Sequence, residues 1–451
     1  MRARTCRPAI DYRASHALKL CVAKKTISPG KKIEGVVEFP GDKSISHRYA
    51  ILAALAEGAS ELHNYASAAD CQSTLDCLKR LNVKIERDKH VVRITGAGLD
   101  GLKAPRRALD AGNSGTTIRM MAGTLAGQAF ASELTGDSSL RRRPMRRILT
   151  PLAQMGAEIR STDDGRAPLK ISGAKLHAID YTVPVPSAQV KSAVLLAGVY
   201  ADGVTTVRES YATRDHTEIA LREFGAHISG GRGAPSVHGR PHLIARSLLI
   251  PGDLSAAVFF LGAALILPDS NVLLHNVGLN PTRTRILDFL ISMGASIHLA
   301  SVQLRDGELT GDVAVRHAKL EGGKISGAEV AEMIDELPMV AALGPFTENG
   351  IEIRDAQELR VKESDRIAAL TEGLRRMGAQ VEEFPDGMCV AGRSAGRLRG
   401  ATVDPQGDHR IAMALAVAGL GADGATTILD SECAGVSFPE FFETLDRALE
   451  R

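Results

Sequence analysis

The sequence predicts an α/β protein of two domains, built from about six copies of one β/α repeat. A nearly uncharged helix, preceded by a short polar turn, recurs at intervals of roughly 65 to 85 residues. A second, amphipathic helix follows in most copies and leads into a strand. The chain of 451 residues is also too long for a single hydrophobic core, which favours two domains.

The first helix of each copy is predicted from an apolar run behind a polar turn. In the first copy, Asp42 or Ser44 can cap a helix that begins near Lys43, because a short side-chain oxygen satisfies a free N–H of the first turn. The turns and apolar runs of the other copies are 110–115 before 118–126, 186–189 before 190–197, 251–253 before 256–261, 334–338 before 339–343, and 407–410 before 411–416.

The second helix of each of the first five copies ends at a residue suited to a left-handed backbone. That residue is Asn82, Gly156, Gly225, Gly294 or Gly378. Gly, and next Asn, adopts this conformation at helix C-termini with little strain. In the last four of these copies Ala follows the Gly, and an Ile or Val then begins a predicted strand.

Composition excludes several classes of function. A net charge of +2 gives no broad surface for nucleic acid, and the absence of Trp with only 4% aromatic residues argues against base stacking. No apolar run of about 20 residues predicts a membrane helix. The six cysteines form no Cys-x-x-Cys pair and no His cluster has metal spacing, so we expect free thiols, no metal and a cytoplasmic protein. Residues 1–17 are Arg-rich without an apolar core, which predicts a short flexible tail.

Basic residues collect at the predicted starts of the helices, although the helix dipole disfavours cations there. They are Lys43, Arg48, Arg119, Arg143, Arg214, Lys362, Arg366 and Arg410. Free N–H groups, the dipole and these cations together predict an anion site. Asp335 and Glu363 are the acids placed among them, which makes them candidates for proton transfer. If the first helices pack side by side, three in each domain, their N-termini can face one cleft.

Other interpretations of these segments stay open at this stage. The arginine-rich run 141–147 can be a solvated basic face, and 359–366 can be a cluster of surface ion pairs. His409 by itself is more typical of a structural histidine than of a catalyst. The turn 41–44 lacks the length of a P-loop, and 230–233 lacks the strand-to-helix context of a dinucleotide site, so neither motif predicts nucleotide binding.

Six motifs in order resemble the EPSP synthases, the 3-phosphoshikimate 1-carboxyvinyltransferases. They are 41–48 (GDKSISHR), 112–116 (GNSGT), 143–145 (RPM), 187–192 (SAQVKS), 359–366 (LRVKESDR) and 408–413 (DHRIAM). The resemblance covers about residues 18 to 451. The motifs 187–189, 213–217 (TRDHT) and 280–284 (NPTRT) are most similar to the class II branch of that family.

The resemblance implies the enolpyruvyl transferase fold, a two-domain inside-out α/β barrel with six βαβαββ repeats, three per domain. Residues 18–42 plus 248–451 would form domain one and residues 43–247 domain two, with the active site in the cleft between them. The implied reaction transfers the enolpyruvyl group of phosphoenolpyruvate to the 5-hydroxyl of shikimate 3-phosphate without a cofactor. We expect these two small molecules as partners, no nucleic acid or membrane, and a monomer.

The motifs also carry residue roles by resemblance. The residues that would bind shikimate 3-phosphate are Lys43, Ser44, Arg48, Ser187, Ala188, Gln189, Arg214, Asp335 and Lys362. Those that would bind phosphoenolpyruvate are Lys43, Gly115, Arg143, Gln189, Arg366 and Arg410. Asp335 would accept the proton of the 5-hydroxyl. Glu363, assisted by Lys43, would protonate the methylene carbon, and His409 would orient its neighbours.

Two positions depart from relatives in this family. Val436 stands where many class I members have a Lys near phosphoenolpyruvate. Gly115 stands where a glyphosate-tolerant class II member has Ala, so we expect inhibition by glyphosate.

Rival functions remain to be weighed against the resemblance. A UDP-N-acetylglucosamine enolpyruvyl transferase would need a Cys in the loop 140–145, which has none, and an RNA-end cyclase would need an adenylated His and a more basic surface. A non-catalytic phosphate-binding relic would lack some of the acids and bases named above.

Overall fold

A computed structural model describes residues 23–451, so the predicted tail 1–17 and the predicted strand 18–22 lie outside the described residues. Its helices are α1 (Lys43–Leu55), α2 (Ala69–Arg80), α3 (Gly115–Ala126), α4 (Ser138–Arg142), α5 (Arg146–Gln154), α6 (Ala188–Gly198), α7 (His216–Glu223), α8 (Leu254–Ile266), α9 (Arg285–Ser292), α10 (Ala328–Glu332), α11 (Leu337–Leu343), α12 (Arg366–Arg376), α13 (His409–Leu420) and α14 (Phe441–Ala448). Short 3-10 helices lie at Gly344–Phe346, Gln357–Val361, Arg393–Ala395 and Ser431–Val436.

The strands between these helices are mostly three to five residues long. They are β1 (Lys24–Ile27), β2 (Lys32–Glu38), β3 (Ala59–His63), β4 (Lys84–Asp88), β5 (Val91–Thr95), β6 (Leu109–Asp110), β7 (Ser132–Thr135), β8 (Glu158–Arg160), β9 (Leu169–Ser172), β10 (Asp180–Thr182), β11 (Val204–Arg208), β12 (Ile228–Ser229), β13 (Ser236–His238), β14 (Ser247–Leu249), β15 (Asn271–Gly278), β16 (Ser296–Arg305), β17 (Glu308–Arg316), β18 (Gly323–Ile325), β19 (Ile351–Ile353), β20 (Val381–Phe384), β21 (Gly387–Val390), β22 (Thr402–Val403), β23 (Thr426–Leu429) and β24 (Leu449–Glu450).

Six sheets repeat one arrangement of strands. In β14-β3-β5-β4 the first pair is parallel and the next two pairs are antiparallel. The sheets β6-β7-β9-β8, β10-β11-β13-β12 and β18-β19-β21-β20 have the same order and directions. The sheet of β2, β15, β17 and β16 adds β24 at its edge, and the sixth consists of β22, β23 and β1. The predicted α/β class and its six repeats are therefore confirmed.

The first helix of each repeat lies in the interior. Every residue of α8 and of α13 is buried, whereas α2, α5 and α14 bury only one face. The interior helices contact one another, α1 and α6 with α3 in one group and α8 and α11 with α13 in the other. This placement explains why the first helices carry almost no charge, since a charge without a partner is costly to bury.

Helix ends follow the predicted chemistry. The carboxylate of Asp42 accepts a hydrogen bond from the Ile45 N–H and so caps α1, and Ser114, Asp253 and Asp408 cap α3, α8 and α13 in the same way. The residues predicted to be left-handed after the second helices have positive φ angles. These angles are 67° at Asn82, 94° at Gly156, 95° at Gly225, 97° at Gly294 and 91° at Gly378.

Buried apolar side chains form two separate clusters. One spans residues 27–39 and 254–445, and the other spans residues 45–250. The chain passes between them at 40–44 and again at 251–253, and these two segments lie side by side in opposite directions. Gly41 forms an antiparallel bridge with Gly252, and the Asp42 N–H donates to the Pro251 carbonyl at 2.7 Å. A Cβ on Gly41 would lie 1.8 Å from the Asn64 carbonyl oxygen, so this close approach requires Gly.

The structure corrects one local prediction. The arginine-rich run 141–147 does not lie at a single helix start, because Arg141 and Arg142 close the short helix α4, Arg143 follows it, and α5 begins only at Arg146. Lys362 and Glu363 lie within about one turn of the start of α12, which begins at Arg366 behind its cap Asp365.

Candidate active site

All predicted site residues line one pocket between the two clusters. They are Lys43, Ser44, Arg48, Gly115, Arg143, Ser187, Ala188, Gln189, Arg214, Asp335, Lys362, Glu363, Arg366 and Arg410. The starts of all six interior helices reach this pocket, through residues 43–44 of α1, 115–116 of α3, 188–189 of α6, 255 of α8, the turn before α11 and 409–410 of α13. Helix N-termini that meet at one place attract anions.

The charge of the pocket lining is strongly positive. The cationic side chains are Lys43, Arg48, Arg119, Arg143, Arg147, Arg214, Arg283, Lys362, Arg366 and Arg410. The carboxylates are Asp70, Asp253, Asp335, Glu358 and Glu363. The lining therefore has five more cations than acids, although the whole chain has a net charge of only +2. Such a local surplus in a pocket suits a ligand, or a pair of ligands, with several negative charges.

Asp335 lies among cations from both sides of the pocket. Arg214 donates to its carboxylate at 2.7 Å from one side, while Arg366 and Arg410 lie at 3.5 and 3.8 Å on the other. Burial alone would raise the pKa of Asp335, but the cations, with Arg410 and Arg214 foremost, hold that pKa well below its ordinary value. Asp335 is therefore ionised among these cations and can accept a proton.

Glu363 lies in a similar environment. Arg366 donates to its carboxylate at 2.6 Å, and Arg143 approaches from the opposite side of the pocket at 3.4 Å. Burial favours the neutral acid, yet Arg366 and Arg143 outweigh it and keep the pKa of Glu363 well below its ordinary value. Between these two arginines Glu363 therefore carries no proton to donate.

Lys43 has a carboxylate partner that we did not predict. Its ammonium donates to Asp70 at 2.9 Å, and both side chains are largely buried. Burial lowers the pKa of Lys43, but Asp70 more than compensates and the pKa is raised. Lys43 is therefore the protonated group in this part of the pocket. Asp70 belongs to none of the six motifs and lies in α2, the second helix of the first repeat, so no sequence signal pointed to it.

Arg48 is held by three hydrogen bonds. Its guanidinium donates to Thr217 at 2.6 Å, to Ser192 at 2.7 Å and to the Ser44 carbonyl at 2.7 Å. Burial lowers the pKa of Arg48 to about 10, which leaves the group charged at neutral pH. Arg48 therefore presents a fixed positive charge beside the first turn of α1.

The start of α6 is joined to α3 by side chains. Gln189 accepts a hydrogen bond from Arg119 at 2.6 Å and donates to Thr116 at 3.1 Å. Gly115, the first residue of α3, leaves space that these side chains occupy, because a Cβ there would lie 2.6 Å from Nη1 of Arg119 and 3.2 Å from Nη1 of Arg143. Burial lowers the pKa of Arg119 to about 10.

His409 lines the pocket with neither ring nitrogen hydrogen-bonded. Burial, and next the charges of Lys43 and Arg410, hold the pKa of His409 well below its ordinary value, so the imidazole is neutral. Val436 ends the 3-10 helix Ser431–Val436 and does not line the pocket. Val436 therefore does not supply the contact to phosphoenolpyruvate that a Lys at this position would make in class I members.

Several lining residues were missed as site residues. Besides Asp70, they include Asp253, Ser255, Arg283 and Glu358. Arg283 lies within the motif 280–284, which supplied a signal for it, whereas Ser255 and Asp253 belong to a helix start with no basic residue.

Among residues 23–451, no group of three or more His, Cys, Asp or Glu side chains is arranged to hold a metal ion. Within the same range, no helix is both long and apolar enough to cross a membrane.

The architecture is that of the enolpyruvyl transferases. The enolpyruvyl transferase NikO from Streptomyces tendae superposes with a TM-score of 0.74 over 94% of this chain and 97% of its own, at 17% identity, which shows the fold alone. An EPSP synthase from Acinetobacter baumannii superposes with a TM-score of 0.84 at 39% identity, covering 94% of this chain and 98% of that one.

Sequence comparison defines the family within this architecture. The model of the family "EPSP synthase (3-phosphoshikimate 1-carboxyvinyltransferase)" matches residues 27–445. The 3-phosphoshikimate 1-carboxyvinyltransferases of Solibacter usitatus and Koribacter versatilis are 53% and 52% identical to this chain, each over 94% of it and over 100% and 99% of their own lengths. The chain belongs to the EPSP synthase family, as its motifs predicted, and is an enzyme of the shikimate pathway.

Proposed function

We propose that this chain transfers the enolpyruvyl group of phosphoenolpyruvate to the 5-hydroxyl of shikimate 3-phosphate and releases phosphate. The observation that supports it most strongly is the pocket with five surplus cations around an ionised carboxylate, Asp335. The two substrates together carry about five to six negative charges at neutral pH, since each phosphate has about 1.5 to 2 and each molecule adds a carboxylate. The charge of the pocket thus matches that of the substrate pair.

Shikimate 3-phosphate binds on the side of the pocket formed by α1 and α6. Ser187, Ala188 and Gln189 lie at the start of α6, where N–H groups of a first turn can bind an anion. Lys43, Ser44 and Arg48 lie at the start of α1, and Arg214 and Lys362 complete this side. Arg214 is free to bind the phosphate once the substrate separates it from Asp335.

Phosphoenolpyruvate binds on the opposite side. Arg143 and Arg366 both contact Glu363, and Arg410 lies close to Asp335. These guanidinium groups can bind phosphate and carboxylate through paired N–H donors. Lys43, Gly115 and Gln189 lie where this group meets the shikimate side. Binding replaces the contacts that these arginines make with Glu363 and Asp335.

The reaction needs a proton to reach the methylene carbon and another to leave the 5-hydroxyl. Protonation of the methylene carbon makes C2 of phosphoenolpyruvate electrophilic, the 5-oxygen forms a bond to C2, and Asp335 takes the hydroxyl proton. The methyl group then loses a proton as the bond from C2 to the phosphate oxygen breaks. Glu363 can supply the first proton only after bound anions have raised its pKa, whereas Lys43 already holds one.

Rival functions find less support. A UDP-N-acetylglucosamine enolpyruvyl transferase would need a Cys in the segment 140–145, which contains none. A phosphate-binding relic would not need Asp335, Glu363 and Lys43 in one pocket with a shifted pKa for each. Neither alternative explains the surplus of cations with the two acids among them.

The remaining parts of the proposal concern the whole molecule. Residues 18–42 plus 248–451 form domain one and residues 43–247 form domain two. The two apolar clusters support this division, except that Leu248 and Ile250 pack in the cluster of residues 45–250. The cleft between the domains holds the active site. The enzyme works as a cytoplasmic monomer on two small molecules without a cofactor. The four cysteines among the described residues are free, which suits a reducing compartment.

Phosphate release tests the proposed function. The protein is mixed with both substrates, and each is omitted in turn. We expect release only when both are present, and a loss of at least about 100-fold in kcat for Asp335→Ala, because general base catalysis contributes about 10²- to 10⁴-fold. Release from phosphoenolpyruvate with UDP-N-acetylglucosamine as acceptor, or tight binding of both substrates without turnover, would overturn the proposal.

A further inference from the structure

A short loop between β15 and α9, residues 280–284, has no role in the reaction described so far. Asn280 and Arg283 of this loop are each only 3% exposed, although both side chains are strongly polar. Burying such groups is costly unless their hydrogen bonds are satisfied, so the contacts they make carry information.

Asn280 shapes the loop and joins it to the segment before α7. Its side-chain oxygen Oδ1 accepts hydrogen bonds from the Thr282 N–H at 2.8 Å and the Thr282 hydroxyl at 2.7 Å, which closes a tight turn. Its side-chain nitrogen Nδ2 donates to Asp215 at 2.7 Å and to Glu308 at 3.0 Å. Asp215 is the residue after Arg214, so this contact fixes the backbone that presents Arg214 to the pocket.

Arg283 joins the starts of three interior helices. Its guanidinium donates to Asp42 at 3.2 Å, to Ser255 at 2.5 Å and to Glu336 at 3.3 Å. Asp42 is the cap of α1, Ser255 lies in the first turn of α8, and Glu336 is the N-cap residue of α11. The Ser255 hydroxyl also donates to the carboxylate of Glu336, which closes the network.

Most of these contacts share one property. Three of the four acids that the loop binds are immediate neighbours of residues assigned to the reaction: Asp42 precedes Lys43, Asp215 follows Arg214, and Glu336 follows Asp335. The fourth acid, Glu308, pairs with His216 in the segment that follows Arg214. We propose that residues 280–284 form a positioning loop that holds Lys43, Arg214 and Asp335 in their working arrangement, with Arg283 as the main positioning residue. This inference rests on the proposed function, because the three residues take their roles from it.

The physical basis is the geometry of a guanidinium group. Its fixed fork of donors can bind acceptors on three helices at defined angles, whereas an ammonium is a single point of charge. Arg283 also provides the positive charge for a buried region that contains Asp42, Asp253 and Glu336, each less than one-tenth exposed. Without Arg283, repulsion between these carboxylates would move the helix starts apart. A displacement of about 1 Å at catalytic groups can cost about 100-fold in rate.

The experiment compares Arg283→Met and Arg283→Lys with Arg285→Met as the matched control. Arg285 lies two residues away, and its ion pairs are with Asp288, Glu329 and Glu332, all partly exposed. For Arg283→Met we expect kcat to fall by about 100-fold with both KM values changed by less than about 3-fold. Arg283→Lys keeps the charge but not the fork, so its kcat falls by about 10-fold. Arg285→Met keeps wild-type kinetics.

A further variant distinguishes the role of Asn280, at one end of the loop, from that of Arg283. Asn280→Ala frees Asp215 and so disturbs Arg214, which raises the KM for shikimate 3-phosphate by about 10-fold while kcat changes less. Crystal structures of wild type and Arg283→Lys give a readout that does not depend on turnover. We expect the carboxylate of Asp335 or the ammonium of Lys43 to move by about 1 Å in the variant.

The outcomes are distinguishable. Wild type and Arg285→Met without phosphate release would defeat the proposed function, and the crystal structures would still decide on the positioning loop. Unchanged kcat in both Arg283 variants, an equal loss in Arg285→Met, or unmoved Lys43 and Asp335 would overturn the inference. If Arg283→Met does not fold, Arg283→Lys alone decides by the same criteria.

Discussion

Substitution of Gly115 by Ala adds one methyl group at the first residue of α3, and the structure gives its consequences. The new Cβ would lie 2.6 Å from Nη1 of Arg119, whereas ordinary contacts begin at 3.4 Å. The guanidinium must therefore retreat by about 0.8 Å or more. Its hydrogen bond to Gln189, now 2.6 Å long, would lengthen to a distance at which it contributes little.

The expected loss of binding free energy for phosphoenolpyruvate follows from the loss of that hydrogen bond and from the smaller shift of Arg143. A hydrogen bond to a charged group contributes about 1.5 to 3 kcal/mol, and each 1.4 kcal/mol corresponds to a factor of ten in affinity. Because Arg119 is flexible and can recover part of the loss, we expect the lower end of this range. The KM for phosphoenolpyruvate should rise by about 10-fold. Inhibition by glyphosate, which the wild type should show, should also weaken, because the methyl displaces Arg119 and Arg143, which line the pocket.

The assay is phosphate release at varied phosphoenolpyruvate, with and without glyphosate. The kcat should stay within about 3-fold of wild type, since the substitution does not contact Asp335 or Glu363. Gly231→Ala is the control, because nothing lies within 4 Å of a Cβ at that position. An unchanged KM for phosphoenolpyruvate in Gly115→Ala would refute the reasoning. So would a wild-type enzyme that keeps full activity in millimolar glyphosate at phosphoenolpyruvate near its KM.

Two further predictions concern protonation. Arg214→Met removes the cation 2.7 Å from Asp335; the pKa of that carboxyl should rise, and the acidic limb of kcat/KM should move to higher pH. A shift to lower pH would contradict this. His409, whose pKa burial holds well below its ordinary value, should stay neutral from about pH 6 to 8, so that its ring NMR signals do not move over this range. A midpoint near 6.5 would show that the ring is solvated.

Much of the fold and of the site could be predicted because each repeat carries the same local signals. The caps Asp42, Ser114 and Asp408 and the left-handed Gly residues are local chemistry, which a single sequence shows directly. The predicted basic residues adjoin those same turns. The convergence of six helix starts then brought them into one pocket.

What could not be predicted depends on contacts between distant segments. The bond of Lys43 to Asp70 joins two helices of one repeat, and the contacts of Arg283 join three helix starts that are far apart in the chain. Neither Asp70 nor Glu336 is marked by the sequence of its own segment as a partner of these basic residues. The short helix α4 was also missed, because five residues are too few for a periodic pattern. The low pKa of Glu363 likewise arises from arginines of both clusters.

The adjacent crossing segments have a mechanical consequence. Because Gly41 forms a bridge with Gly252, the two connections between the apolar clusters are joined to each other and are not two independent tethers. A rotation of one cluster against the other would turn about an axis near this pair. Points on the axis would move least, and Lys43 lies two residues from Gly41, whereas Arg143 and Glu363 belong to the segments of different clusters and would separate. Such a rotation would break the contact between Arg143 and Glu363 first and leave Lys43 almost in place.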